Sequence, residues 1–152
     1  MRAYYLPLSA GVVLVGSAFF PWVMLGEVSF GGVPSFSAIW ILVLGLVTIL
    51  LAVLSLITRK NSRHPLLLVG LLALGIQFLS WQWLEHSVSE QAWATAEAAA
   101  IVEGHDVVRP APTSLGTGIY LGLVASIVIV GFGLTIVFKQ AAVSYIPPDD
   151  DV

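Results

Sequence analysis

The sequence predicts an all-α membrane protein with four transmembrane helices, both termini in the cytoplasm and a short helix in a long outer loop. Hydrophobic residues make up 58% of the 152 residues and charged residues only 10%, whereas soluble domains average about 45–50% apolar and about 25% charged residues. A helix needs about 20 apolar residues to cross a hydrocarbon core of roughly 30 Å, and four segments of the sequence are that long. Five of the six basic residues fall on one side of these segments.

The four predicted spans are runs without any ionisable residue, and together they form a single domain. They cover about residues 6–25, 38–58, 65–84 and 115–138. Within the first span, Pro21 is expected in the last turns of the helix, where it removes an N–H and kinks the exit from the membrane.

The basic residues set the predicted orientation, because Lys and Arg in short flanks resist translocation. Arg109 alone falls on the outer side. We therefore expect a multi-pass protein of the cell's inner (cytoplasmic) membrane, with residues 139–152 as a cytoplasmic tail. The five basic residues on the inner side are Arg2, Arg59, Lys60, Arg63 and Lys139.

The outer segment, residues 85–114, is the only polar region long enough to hold structure of its own. Ser87 and Glu90 have the spacing of a capping box, and the Ala-rich run that follows stops at Gly104, where a helix C-cap is favoured. We expect a short helix here, lying on the membrane surface or on the mouth of the bundle. The remainder, residues 105–114, is predicted to be an extended tether.

All five tryptophans fall at or beyond the outer ends of the predicted spans. Trp prefers the headgroup level, where its ring is buried and its indole N–H stays hydrated. One interpretation is an aromatic belt biased toward one leaflet, and the other is a surface that docks a partner protein or the tail of a lipid, quinone or pigment. The candidate partner or lipid contacts are Trp22, Trp40, Trp81, Trp83 and Trp93.

Two features of the predicted spans point to close helix packing. Gly118 and Gly122 form a GxxxG pair, which lets two helix backbones approach closely. The pair favours packing against the first or third helix of this chain, and both glycines are alternatively candidate contacts to another subunit. Gln77 shares a helical face with Gly70 and Ala73, so we expect an interhelical hydrogen bond from its amide, with a ligand contact as the alternative.

The sequence offers no constellation for catalysis. No Asp, Glu, Lys, Arg or His lies within any span, which argues against a pump, a proton-coupled transporter or an intramembrane protease. Two groups carry nitrogen and oxygen ligands, but their spacing matches no metal pattern, so solvated polarity is the simpler interpretation. They are the pair His86 and Glu90, at i and i+4, and the cluster of Glu103, His105 and Asp106. The chain has no cysteine, which excludes disulfides and thiolate sites. We expect no catalytic residue, no metal site and no enzyme activity.

The layout of the spans resembles that of small four-helix bacterial membrane proteins of uncharacterised families. The resemblance is carried by the Pro-Trp pair at residues 21–22, by a turn-rich loop near residues 26–37 and by the glycine-rich start of the fourth span, TSLGTGIYLG. It implies a four-helix membrane fold and no particular activity.

The expected function is that of a non-catalytic accessory or scaffolding subunit of a larger membrane complex, with a respiratory or photosynthetic complex as one candidate. Its expected partners are other integral membrane subunits and membrane lipids, and not nucleic acid. The alternative is an oligomeric small-molecule channel or carrier, with Gln77 and the glycine faces lining a path. No cofactor is predicted, and bound lipid, quinone or pigment is left open.

Overall fold

The computed structural model describes residues 2–58 and 63–141, and helices dominate both ranges. A 3-10 turn, Arg2–Tyr4, precedes the first α-helix. The all-helical class that the sequence predicts is confirmed at the level of these main elements. The α-helices of the described residues are α1 (Tyr5–Ser17), α2 (Phe36–Thr58), α3 (Arg63–Glu103) and α4 (Thr117–Ala141).

Three of the helices, α2, α3 and α4, are long and apolar enough to cross a membrane. Helix α1 has 13 residues and is therefore about 20 Å long at 1.5 Å per residue, which is shorter than the roughly 30 Å hydrocarbon core. The predicted first span over residues 6–25 is too long. The helix ends at Ser17, and Pro21 lies beyond the helix rather than in its last turns.

A small antiparallel sheet follows α1, and the sequence analysis did not predict it. Its strands are β1 (Val23–Leu25), β2 (Val28–Phe30) and β3 (Thr113–Leu115), in the order β2-β1-β3. Gly26 begins the tight turn between β1 and β2 with a φ of 58°, a backbone conformation that glycine adopts without steric cost. Strand β3 brings the returning chain beside β1, immediately before α4. We call this end of the bundle the sheet end.

Helix α3 is one continuous helix of 41 residues, about 60 Å long. The predicted boundary between a third span ending at residue 84 and a separate short helix in the outer loop is therefore wrong. Polar residues replace apolar ones there, but no Gly or Pro interrupts the helix. The predicted C-cap is present: Gly104 has a φ of 69°, and the N–H groups of Gly104 and His105 both donate to the Ala100 carbonyl, at 2.9 and 3.2 Å.

The four helices pack in a ring in which α1 and α3 each contact both α2 and α4, and the contact between α3 and α4 is the most extensive. Glycines bring these helix backbones together. A Cβ placed on Gly70 would lie 3.1 Å from the backbone nitrogen of Val130, and one on Gly133 would lie 2.8 Å from the Cα of Leu67. The helices thus touch at positions where a larger side chain does not fit.

The outer surface of the bundle carries large apolar side chains on every helix. A water-facing helix normally places polar residues on the face opposite the core, whereas here aliphatic residues are exposed along the helices' whole length. This exterior and the three long apolar helices are compatible with a membrane protein. Examples of these exposed residues are Val12, Leu46, Leu50, Ile57, Leu68, Leu72, Leu79, Val124 and Ile127.

Substitution of Gly133 by Ala tests the close contact between α3 and α4. The added Cβ would lie 2.6 Å from the Cβ of Leu67, so we expect Gly133→Ala to lower the free energy of unfolding by about 1–3 kcal/mol. SDS titration in detergent micelles measures this change.

Gly131→Ala is the matched control, because it lies two positions away in the same helix and nothing stands within 4 Å of its Cβ. That change should leave the stability unchanged or raise it by up to about 1 kcal/mol through helix propensity. Equal effects of the two substitutions would contradict the packing described here.

Candidate functional site

The turn formed by Pro21 and Trp22 closes the sheet end of α1. In a continuing helix the N–H of residue 21 would donate to the carbonyl of Ser17, but proline has no N–H. The indole Nε1–H of Trp22 donates to that carbonyl instead, at 3.1 Å. Trp22 is only 1% exposed. The protein therefore encloses the ring, and the indole N–H has its partner inside the protein rather than in water. The predicted position of Trp22 at the level of the membrane interface stays a prediction.

Backbone hydrogen bonds join this turn to the sheet and to the start of α4. The N–H of Trp22 donates to the Phe30 carbonyl at 3.0 Å, and the Trp22 carbonyl accepts from the N–H of Gly116 at 2.8 Å. The Pro21 carbonyl accepts from the N–H of Gly118 at 3.0 Å. Backbone groups of the irregular segment thus find partners within the protein.

The GxxxG pair packs against residues of this chain. A Cβ on Gly118 would lie 2.6 Å from the Phe20 carbonyl oxygen and 2.7 Å from Cδ1 of Trp22, and one on Gly122 would overlap the amide of Gln77. Gly118 therefore packs against the chain at and just after the end of α1, and Gly122 packs against Gln77 of α3 and Ser17 of α1. In this arrangement they offer no open surface to another subunit.

Gln77 lies at the centre of a polar contact between helices. It is completely buried, and Ser126 Oγ of α4 donates to its Oε1 at 3.2 Å. Its Nε2 has no hydrogen-bond partner among the residues that the structure describes, and this atom lies against Gly122. Ser17 Oγ, which donates to the Leu14 carbonyl at 2.7 Å, lies close to the same glycine. An amide and two hydroxyls can join α1, α3 and α4, but none of them is ionisable and none can act as a general acid or base near neutral pH.

The four other tryptophans of the candidate set differ in exposure. Trp83 is 72% exposed, and Trp40 and Trp93 are also exposed. Trp81 is half-buried and donates its Nε1–H to Glu85 Oε2 at 2.8 Å. These residues do not form one cluster. Trp40, Trp81 and Trp83 lie around the sheet end of the span-length part of the bundle, and Trp93 lies on α3 beyond it.

Three cavities lie along α3, and two of them are lined in part by a tryptophan. A cavity of about 660 Å³ lies between Trp93 of α3 and the returning chain at residues 109–113. A second, of about 400 Å³, lies between α3 and the hairpin residues Leu25 and Phe30. A third, of about 320 Å³, opens between α2 and α3, and its only polar lining residue is a serine; it is lined by Phe36, Ser37, Trp40, Leu44, Leu72 and Ile76.

The polar residues considered as metal ligands remain dispersed. His86 Nε2 lies 3.1 Å from Glu90 Oε1, and both side chains are exposed on one face of α3. Glu103, His105 and Asp106 are exposed at the end of the same helix. Among the described residues, no three His, Asp or Glu side chains come close enough together to hold a metal ion.

Sequence reasoning missed the role of Ser17. A usable signal was present, because Ser17 stands four positions before Pro21 and its carbonyl must therefore lose its helical partner. The identity of the replacement donor depends on how the chain turns after the helix, and a sequence pattern does not specify that turn.

The chain matches no protein-family model, no curated protein and no solved structure. The resemblance to small four-helix bacterial membrane proteins accordingly concerns the layout of the predicted spans. The candidate functional features come from the structure alone. They are the buried contact around Gln77, the turn at Trp22 and the exposed part of α3.

A double-mutant cycle tests the contact between Gln77 and Ser126. We expect Gln77→Leu and Ser126→Ala to be non-additive, with a coupling energy of about 0.6–2 kcal/mol, because each change removes the same interhelical hydrogen bond. Unfolding in SDS titrations supplies the four free energies. Gln77→Leu combined with Thr48→Ala is the control, since Thr48 Oγ1 donates within its own helix, to the Leu44 carbonyl. Additive behaviour of the first pair would refute the contact.

Trp22→Phe tests the turn at the end of α1. Phenylalanine keeps most of the buried ring but leaves the Ser17 carbonyl without its donor, so we expect a loss of stability of about 1–3 kcal/mol. Trp83→Phe, at an exposed position, should change stability by less than about 0.5 kcal/mol. Thermal unfolding in the same detergent compares the two, and similar losses would argue against the indole hydrogen bond.

Proposed function

We propose that this chain is a non-catalytic accessory subunit that scaffolds a larger protein complex in the inner membrane. The observation that carries the proposal is the projection of α3 beyond the other helices. From Glu85 to Glu103 the helix continues for about 28 Å. A rigid helix of this length holds a fixed position for neighbouring subunits, whereas a flexible loop would not.

The base of the projection is braced by the rest of the chain. Val88 of α3 is buried, and the hairpin residues Leu25 and Phe30 lie across a shared cavity from the same helix. Strand β3 ties the returning chain to the hairpin. This bracing supports a scaffolding role, because it fixes the direction in which α3 leaves the bundle.

Membrane insertion is supported by the three span-length helices and by the apolar exterior of the bundle. Of the basic residues that the structure describes, Arg2, Arg63 and Lys139 belong to helix ends opposite the sheet, which favours a topology with both termini inside and the sheet end facing away from the cytoplasm. Arg59, Lys60 and most of the predicted cytoplasmic tail lie outside the described residues. The proposed partners are other integral membrane subunits and membrane lipids. Membership of a respiratory or photosynthetic complex stays a prediction.

The packing of the bundle disfavours a channel within one chain. The glycine faces that would line a path are filled, since Gly70 faces Ile129 and Val130, Gly122 faces Gln77 and Gly133 faces Leu67. A carrier or channel would therefore need a path between several copies. Flux through liposomes that contain only this chain separates that alternative from a scaffold, because a scaffold gives no flux above empty liposomes.

Purification of the tagged chain from its host membranes in mild detergent tests the proposed function. We expect it to co-migrate with other membrane proteins on native gels, at a mass well above that of a 16.2 kDa monomer in its micelle. A harsher detergent that strips subunits should release the monomer. An unrelated tagged membrane protein from the same host is the control for non-specific association. A stable, lone monomer in the mild detergent would contradict the proposal.

A further inference from the structure

The free end of α3 carries an exposed apolar surface that the bundle does not use. We define the α3 tip as two residues of the last helical turn and two of the chain that follows it. Their side chains are 83%, 85%, 48% and 77% exposed, in the order Ile101, Val102, Val107 and Val108. Single exposed aliphatic residues are common on protein surfaces, whereas a large contiguous apolar patch is typical of an interaction site.

Lipid cannot cover the α3 tip. Ile101 lies about 25 Å along α3 beyond residue 84, the last residue of the predicted hydrocarbon span. The headgroup layer adds only roughly 5–8 Å on each side of the hydrocarbon core. Even a helix tilted by about 40° holds the tip clear of that layer. The bonds from the N–H groups of Gly104 and His105 to the Ala100 carbonyl close the helix directly after Ile101 and Val102.

The charges around the α3 tip decide which occupant fits it. Glu97 lies one helical turn before Ile101, and Glu103 and Asp106 flank the chain reversal. Across residues 85–114 there are five acidic residues and a single basic one, Arg109. Anionic lipid headgroups would be repelled. A second copy in the same membrane orientation would bring like charges together, which costs several kcal/mol at an interface.

We propose that the α3 tip docks a basic segment, with apolar residues among its cations, that belongs to the extramembrane part of a partner subunit. This inference rests on the proposed accessory function and specifies the chemistry of the partner. The apolar side chains supply the contact area, and the acidic residues attract and orient the segment. The surface lies outside the membrane, so the partner segment is water-exposed before it binds.

Site-specific photo-crosslinking in host membranes tests the inference with the full chain. A photoreactive phenylalanine analogue replaces Ile101, and the same analogue at Ile127, an exposed position in α4, serves as the control. We expect the Ile101 probe to form an adduct with a segment of another protein whose net charge is positive, as identified by mass spectrometry. The Ile127 probe should label lipid or membrane-embedded segments instead.

Charge reversal at two exposed positions supplies the second measurement. The double change Glu97→Lys and Glu103→Lys should lower the yield of the Ile101 adduct by about tenfold or more, whereas Glu97→Gln with Glu103→Gln should lower it less. Unchanged thermal unfolding of both variants shows that the fold is retained.

Four results would overturn the inference: an adduct with a second copy of the chain, an adduct with lipid, an adduct with a neutral or acidic segment, or no adduct at Ile101. If the chain still co-migrates with other subunits in mild detergent, the accessory function survives and only the α3 tip is excluded. If it is a lone monomer, the proposed function itself fails.

Discussion

The hydrogen bond from the Trp22 indole to the Ser17 carbonyl is the interaction on which the sheet end of the molecule depends. Pro21 removes the N–H that would continue α1, and a carbonyl left unpaired in an apolar bundle would cost several kcal/mol. Because Trp22 supplies the missing donor, α1 can end after 13 residues without leaving that carbonyl unpaired. The ring that supplies the donor also fills the space beside Gly118 at the start of α4. One side chain thus completes the end of α1 and packs against α4.

The short α1 makes room for the elements that brace α3. The chain turns directly after α1, forms the hairpin at the sheet end and pairs β1 with β3. The hairpin then lies beside the part of α3 that leaves the apolar region, where Val88 is buried. The Ala-rich sequence that follows has high helix propensity. The helix propensity of this sequence and the burial of Val88 together keep α3 helical well beyond residue 84, the end of the predicted third span.

Hydropathy predicted the ends of two helices closely, because these ends coincide with the ends of the apolar runs. The second and fourth predicted spans, 38–58 and 115–138, lie close to α2 and α4 of the structure. The two incorrect ends have physical causes. The apolar run that continues past Pro21 predicts a kinked helix, whereas the helix ends before this residue, which cannot supply the next N–H. The polar residues after 84 predict a helix end, but a change from apolar to polar residues does not by itself break a helix. Strands of three residues are too short to show the alternation of apolar and polar residues that predicts a strand. The preference of Trp for membrane interfaces gave an alternative explanation for Trp22, so its hydrogen bond to the Ser17 carbonyl was not predicted.

The continuity of α3 connects the buried contact at Gln77 to the exposed tip. No Gly or Pro occurs between Gln77 and Glu103, so the helix offers no hinge between these two positions. Each residue along an α-helix turns by about 100°, and the direction of every exposed side chain is therefore set by the register at Gln77. The hydrogen bond to Ser126 and the close fit against Gly122 hold that register. A neutral polar contact inside the bundle thus has a consequence outside it: it determines which face of α3 carries Glu97 and Ile101, and it does so without placing any charge within the apolar core.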